Sequence, residues 1–263
     1  MEISKKRTIQ LLVDSSIKNF AEGFYTIGRE KIIDLKEIIN FKKDNISIVK
    51  LEEKFHLYPD LARSFDGSFG KILENMGNSI AKVSYDVKGN IQSFILPSQT
   101  QHIADLMSHY DEHERPEIEH YTSFKPIIPR NIESFKRTHA TDNYFYSPEK
   151  KEHYLVELKA GGDLDNKKSR AEKISLLDEY YLLENLLLSN PDTKNDKIFI
   201  YFATAYNKDG ESNKWSQERV RQYFCEEELK IGKDYWNFVC DDEMGFEIVS
   251  DQLKKVVVQW SVF

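Results

Sequence analysis

The sequence predicts an α/β fold, a mixed central sheet flanked by helices, and three observations predict it. Tyr144-Phe145-Tyr146 is an aromatic, strand-like run, Ser147 to Lys151 is polar with Pro148 as a turn former, and His153 to Lys159 alternates. In that alternation Tyr154, Val156 and Leu158 share one face, and Leu155, Glu157 and Lys159 the other. Ile174, Leu176, Leu177, Tyr180, Tyr181, Leu183, Leu187 and Leu188 then give a broad apolar face at helical spacing. Finally, residues 197–205 are almost continuously apolar, as a buried central strand is. Strand, long helix and strand in succession predict a crossover that sets 197–205 parallel to 153–159.

The other elements follow in order. Ile9, Leu12, Val13, Ile17, Phe20 and Phe24 predict a packing helix over 5–24, which Gly28 should end. Residues 29–39 predict a second helix and 46–58 a third. A fourth, over 68–81, turns Phe69, Ile72, Leu73, Met76 and Ile80 inward, with Ser68 as its cap. Val83, Tyr85 and Val87 alternate, Lys88-Gly89-Asn90 reads as a turn, and 91–96 completes a hairpin closed by Pro97. Residues 121–141 read as irregular. Asp165 or Asn166 caps the long helix and Pro191 follows its end. Asn207 to Gln217 reads as a polar loop, Tyr235, Trp236, Phe238 and Val239 as core, and 251–258 as a last helix.

Composition narrows the class. The 263 residues suffice for one large domain or a domain with a subdomain, and 40% apolar content supports a core. No run of eighteen apolar residues predicts a membrane span, and no apolar segment follows Met1-Glu-Ile-Ser-Lys-Lys-Arg7 to make a secretory signal. Cys225 and Cys240, fifteen apart, match no zinc pattern and read as reduced thiols, which fits a cytoplasmic protein. The net charge of −7 argues against indiscriminate nucleic-acid binding. Residues 125–173, however, hold eleven Lys/Arg against eight Asp/Glu, leaving −10 on the remainder. A basic patch on an acidic body is compatible with selective DNA binding.

The hairpin carries the chemistry. It brings Asp142, the one Asp between Asp111 and Asp163, toward Glu157 and Lys159. Two carboxylates suit a hard divalent cation, Mg2+ with Mn2+ as substitute, and an ammonium beside them suits a water and a phosphate oxygen. That is a layout for metal-assisted phosphodiester hydrolysis. The plainer reading is a chance pattern, since Asp34-Leu-Lys36, Glu52-Glu-Lys54, Glu149-Lys-Lys151, Asp165-Asn-Lys167, Asp192-Thr-Lys194 and Glu228-Leu-Lys230 also occur. Those lie in helix-like stretches, loops or helix starts; Glu228-Leu-Lys230 ends a helix-like stretch. Glu157 alone ends an alternating strand.

Asp142…Glu157-Leu158-Lys159 resembles the PD-(D/E)XK nuclease signature, without the Pro that often precedes the Asp. Ala160-Gly-Gly-Asp-Leu-Asp-Asn-Lys-Lys-Ser-Arg-Ala-Glu-Lys173 is similar to a block in type II restriction endonucleases of the TdeIII-like group. Weaker echoes stand at 68–74 and 231–238. The resemblance implies a PD-(D/E)XK core over 83–263 behind an N-terminal helical part over 1–82. It implies Mg2+-dependent, sequence-specific cleavage of double-stranded DNA leaving 5′-phosphates. Asp142, Glu157 and the Leu158 carbonyl would bind metal, and Lys159 would position the water. Glu74 is a solvated glutamate in the plainer reading and a further helix carboxylate at the metal in the other. A homodimer on a palindrome follows from two-fold symmetry. A cognate DNA methyltransferase and a short G/C-rich site such as GGNCC are also implied.

DNA-contact candidates cluster in three places. Lys136, Arg137 and His139 precede Asp142; Lys167, Lys168, Arg170 and Lys173 crowd the start of the long helix, where cations suggest a nearby anion. Asn207, Lys208, Asn213, Lys214 and Gln217, with Arg219 and Arg221 behind them, suit base and phosphate contacts. For each cluster a solvated charged surface is the plainer alternative. Two rival functions remain at this point. One is a non-catalytic helical DNA- or protein-binding module. The other is a zinc peptidase, because His109-Tyr-Asp-Glu112-His113 matches an inverted zinc-peptidase pattern, although its neighbours are exposed-type residues.

Overall fold

The computed structural model describes residues 1–41, 54–127, 136–161 and 164–260, with the backbone alone at 23–41, 54–66, 136–137, 140–142 and 257–260. Tyr154, Val156 and Leu158 on one face of β3 (Glu152–Lys159) and Leu155 on the other are buried, so both faces are covered. Among the described residues β3 is accordingly the middle of a five-stranded sheet. Its order is β1 (Asp86–Phe94), β2 (Lys136–Ser147), β3, β4 (Lys197–Thr204) and β5 (Leu229–Ile231). β1, β2 and β3 pair antiparallel, whereas β3, β4 and β5 pair parallel.

The hairpin and the crossover are present as predicted. Tyr144 stands opposite Leu155 and Ser147 opposite Glu152. α5 (Asn166–Leu188) then returns the chain to β4, paired with β3 from Glu152↔Lys197 to Lys159↔Thr204. Asp165 caps α5, its Oδ1 accepting from the Lys168 backbone N–H at 2.8 Å. Leu176, Leu177, Tyr181, Leu182 and Leu183 bury most of the helix circumference against the sheet and its neighbours. Within this interior the amides of Gln99 and Asn185 bond each other, and Asn185 Nδ2 donates to the Phe94 carbonyl at 2.8 Å. Buried polar groups satisfied in this way fix the helix against β1 rather than merely covering it.

Several boundaries differ from the sequence expectation, each for a local reason. β1 is one strand, not a hairpin; the register shifts between Lys88 and Asn90, where Gly89 stands across from residues 141–143 of β2, which carries the extra residues. Pro97 is the first residue of α3 (Pro97–Asp111), where its missing N–H costs nothing. α1 (Ile3–Phe41) runs straight through Gly28, because one glycine costs a helix only about 1 kcal/mol. α2 (Lys54–Ala81) begins well before Ser68, which therefore caps nothing, while most of the third helix expected at 46–58 lies outside the described residues. A short α4 (Glu119–Thr122) follows α3, and β2 already starts at Lys136, inside the stretch expected to be irregular. The chain ends in α6 (Glu218–Arg221), a 3-10 turn at Glu226–Glu228, α7 (Lys233–Cys240) and a longer α8 (Gly245–Trp260).

The chain divides into two units, Met1–Ser79 with Glu247–Phe263, and Ile80–Phe246. In the first, Ile9, Val13 and Ile17 bury successive turns of α1, Phe20 meets Phe69 at 5.9 Å, and Gln252 Nε2 donates to Asp14 Oδ1 at 2.6 Å. The second holds the whole sheet with α5 and α7. Tyr235, Trp236 and Val239 of α7 are buried as predicted, and Trp236 Nε1 donates to the Ala205 carbonyl at 2.7 Å.

Gly232, just before α7, has φ +52°, and a Cβ there would collide with the Glu211 carboxylate and lie 2.8 Å from the Asn207 nitrogen. That carboxylate accepts from the Asn207 N–H at 2.8 Å and the Lys233 N–H at 2.9 Å, so it pins the 207–217 loop to the start of α7. Gly232→Ala is expected to destabilise by about 1–3 kcal/mol in chemical denaturation. Gly89→Ala, where a Cβ meets nothing within 4 Å, serves as the control and should change far less.

Candidate active site

β3 ends by presenting Glu157 and Lys159 on one face, toward α5. The Lys159 ammonium lies 2.6 Å from Glu157 Oε1 and 2.7 Å from Oε1 of Glu172, one and a half turns into α5. The side chains are 30% exposed at Lys159, 17% at Glu157 and 21% at Glu172, so the group is sheltered but reachable. Burial lowers the Lys159 pKa, but Glu157 and then Glu172 outweigh it, and the net shift is upward. The lysine is a held cation at neutral pH.

Beside it the strand ends close over. Ala205 N–H donates to the Lys159 and Ala160 carbonyls at 3.2 and 3.1 Å. A Cβ on Gly161 would lie 2.7 Å from Cζ of Tyr206, so glycine there lets β3 end against that ring. Gly162 lies outside the described residues. This corner is at the carboxyl ends of the parallel strands β3 and β4, where α/β sheets place their chemistry. The profile of a family described as "Type II restriction endonuclease, HinfI" matches residues 5–257.

The chain belongs to the HinfI family of type II restriction endonucleases. The family is one of sequence-specific DNA-cleaving enzymes. No curated protein and no solved structure matches the chain. The mixed sheet flanked by helices is compatible with a restriction-endonuclease fold.

For this HinfI-family chain the sequence-predicted residues divide as follows. Glu157 and Lys159 are together; Asp142 lies on β2, with its side chain outside the described residues. Leu158 stands in the β3–β4 ladder opposite Ala203. Glu74 is half-buried on α2, in the first unit. Glu172 was missed. Its signal was a carboxylate three residues after Ser169 and four before Leu176, both buried, and so beside the packed face of its helix.

The DNA-contact candidates stand in different surroundings. Lys167 and Lys168 are exposed on the first turn of α5, as are Lys208, Lys214 and Arg219 on the later loop and α6. Asn166, Arg219, Arg221 and His113 line one open cavity of about 410 Å³, which joins the start of α5 to α6. Arg170, by contrast, pairs with Asp111 at 3.0 Å, and His139 Nε2 lies 3.0 Å from Glu179 on α5. Arg221 pairs with Glu226 and donates to the Trp215 carbonyl at 3.2 Å. Asn207 bonds the Asn213 carbonyl and the Asp209 N–H, making it the hub of its loop, and Gln217 is buried. Asn213 Nδ2 donates to the Asp209 carbonyl. These amides hold the loop in shape, whereas the sequence suggested base contacts. The Lys136 and Arg137 side chains lie outside the described residues.

Two charged groups need correction. Lys173, expected beside a phosphate, is buried and bonds Glu228 Oε1 at 2.5 Å. Glu228, expected in a helix-like stretch, closes the 3-10 turn, its second oxygen accepting from the Cys225 N–H at 3.0 Å. Burial, and then the Glu228 charge, push the Cys225 thiol up to about 12, so it is inert at neutral pH.

The zinc-peptidase alternative fails on geometry. α3 ends at Asp111, and His113 sits beyond it at φ +66°, so His109 and His113 do not share a helix face. His109 Nδ1 faces Glu114 at 3.3 Å instead.

Proposed function

We propose that this protein is a Mg2+-dependent type II restriction endonuclease that hydrolyses double-stranded DNA and leaves 5′-phosphates, with Asp142, Glu157 and Lys159 at its centre. The observation that carries the reading is the Lys159 ammonium held at Glu157 at the end of a central strand, in a chain of the HinfI family. The hairpin register supports Asp142 as partner. Tyr144, opposite Leu155, is the last residue of β2 paired with β3, and Asp142 and Glu157 each lie two residues beyond that pair along their strands.

The donors fit a hard divalent ion. They are the carboxylate oxygens of Asp142 and Glu157 and one backbone carbonyl, and Glu157 Oε1 already holds a cationic group, the Lys159 ammonium, at 2.6 Å. Asp142, Glu157 and the Leu158 carbonyl would hold Mg2+, with Mn2+ as substitute. The metal supplies Lewis-acid stabilisation of phosphoryl charge and a more acidic water. Lys159 donates to the attacking water and the scissile phosphate oxygen, fixing the line of attack. Lys167, Lys168, Lys214 and Arg219 supply phosphate contacts around the start of α5. A homodimer matches a palindromic duplex, one strand per protomer. The narrower TdeIII-like resemblance, its G/C-rich site and a methyltransferase companion belong to the same reading.

The decisive experiment incubates purified protein with a DNA of known sequence, with and without Mg2+, and maps the cut ends. Discrete fragments with 5′-phosphates at one repeated sequence support the proposal. Intact DNA under all divalent conditions removes it and leaves a binding module. Lys159→Arg tests the lysine itself. Arg keeps the charge but carries a longer planar fork, so the donor moves. Misplacement by about 1 Å costs on the order of 100-fold in rate. Single-turnover cleavage should fall by that amount while calorimetric metal binding in the DNA complex persists. A near-normal rate shows that Lys159 acts only as a distant charge.

A further inference from the structure

We infer that Glu172 is a positioning residue for this reaction: it holds the Lys159 ammonium from α5, so that Glu157 can turn to its metal without releasing the lysine. The inference rests on the nuclease reading above and adds a fourth residue to it.

A lysine side chain is a flexible four-carbon stem, and its ammonium has no geometry of its own. In the structure two acceptors fix it, Glu157 Oε1 at 2.6 Å and Glu172 Oε1 at 2.7 Å. The first lies two residues away on the same strand and is itself the proposed metal ligand. Once its oxygens face a divalent cation, it is a poor anchor for a second positive charge. Glu172 is then the remaining carboxylate from outside the strand.

Its own placement is rigid. Asp165 caps α5 about two turns earlier, and Leu176 and Leu177 are buried about one turn later. The next residue, Lys173, is locked inward by Glu228 at 2.5 Å, which sets the rotation of the helix and so keeps Glu172 on the β3 side. A reactive group held by a side chain on a packed helix is held more accurately than by one on a loop.

Two variants test the inference in full-length protein on DNA carrying one mapped cleavage site. Glu172→Ala removes the acceptor; Glu172→Gln keeps an oxygen that still accepts from the ammonium. Single-turnover cleavage at saturating Mg2+ should fall on the order of 100-fold for the Ala variant and less than about 10-fold for Gln. The Mg2+ midpoint, the affinity for DNA with Ca2+ in place of Mg2+, and the unfolding midpoint of the Gln variant should stay near wild type. Wild-type rates in both variants overturn the inference. So do equal losses in both with a tenfold higher Mg2+ midpoint, which make Glu172 a metal ligand instead. Failure of the wild-type protein to cut any DNA strikes the nuclease reading itself and is seen before any variant is made.

Discussion

Glu157→Gln is expected to abolish DNA cleavage while leaving DNA binding intact or stronger. The substitution is nearly isosteric, and its amide oxygen can still accept from Lys159, now 2.6 Å from Glu157 Oε1. What disappears is one negative charge. A metal's stabilisation of phosphoryl charge amounts to several kcal/mol. Weakening its seat therefore costs at least about a thousand-fold in rate. On the proposed function the same charge would face phosphate in the bound complex, so its loss removes a repulsion. Cleavage on a labelled duplex and fluorescence anisotropy in Ca2+ read the two effects separately. Full cleavage by the Gln variant would sink the assignment of Glu157, and joint loss of cleavage and binding would point to a collapsed strand end.

The parts of this site that were legible in sequence are those written within a few residues. β3 announces itself through the alternation Val156-Glu157-Leu158-Lys159 at its end, where one face stays buried and the other is partly exposed. The α5 boundary follows from Asp165, whose side chain needs only the N–H three residues on. Glu172 was not legible because its role depends on how α5 crosses β3, thirteen residues from Lys159 in the chain. Lys173 and Glu228 fail for a related reason. Charged side chains are almost never fully buried unless paired, and a pair 55 residues apart leaves no local mark. The β1 error is of another kind. Lys88-Gly89-Asn90 has turn chemistry, but the long partner β2, lying some fifty residues downstream, holds both halves in one strand and takes up the register shift with its own residues 141–143.

The Lys173–Glu228 pair carries the second large effect, on stability. Glu228→Ala, at a carboxylate the sequence places only at the end of a helix-like stretch, is expected to destabilise the protein by about 3–5 kcal/mol. The two side chains are 1% and 2% exposed, and the ammonium also lies 5.1 and 5.0 Å from the ring centroids of Tyr121 and Phe224. Removing the carboxylate strands a charge among aromatic rings and deprives the Cys225 N–H of its 3.0 Å acceptor. At roughly 2–4 °C per kcal/mol, the unfolding midpoint should fall on the order of 10 °C. Replacing both partners by apolar residues, Lys173→Met with Glu228→Leu, removes the stranded charge and should recover much of the loss, because buried pairs often exchange for packed hydrophobics at little cost. Cleavage provides the link to function. The pair sets the rotation of α5, so the single variant should also cut more slowly at temperatures where it remains folded, through misplacement of Glu172. A Glu228→Ala protein with wild-type unfolding would show that water reaches Lys173 and that the pair is dispensable.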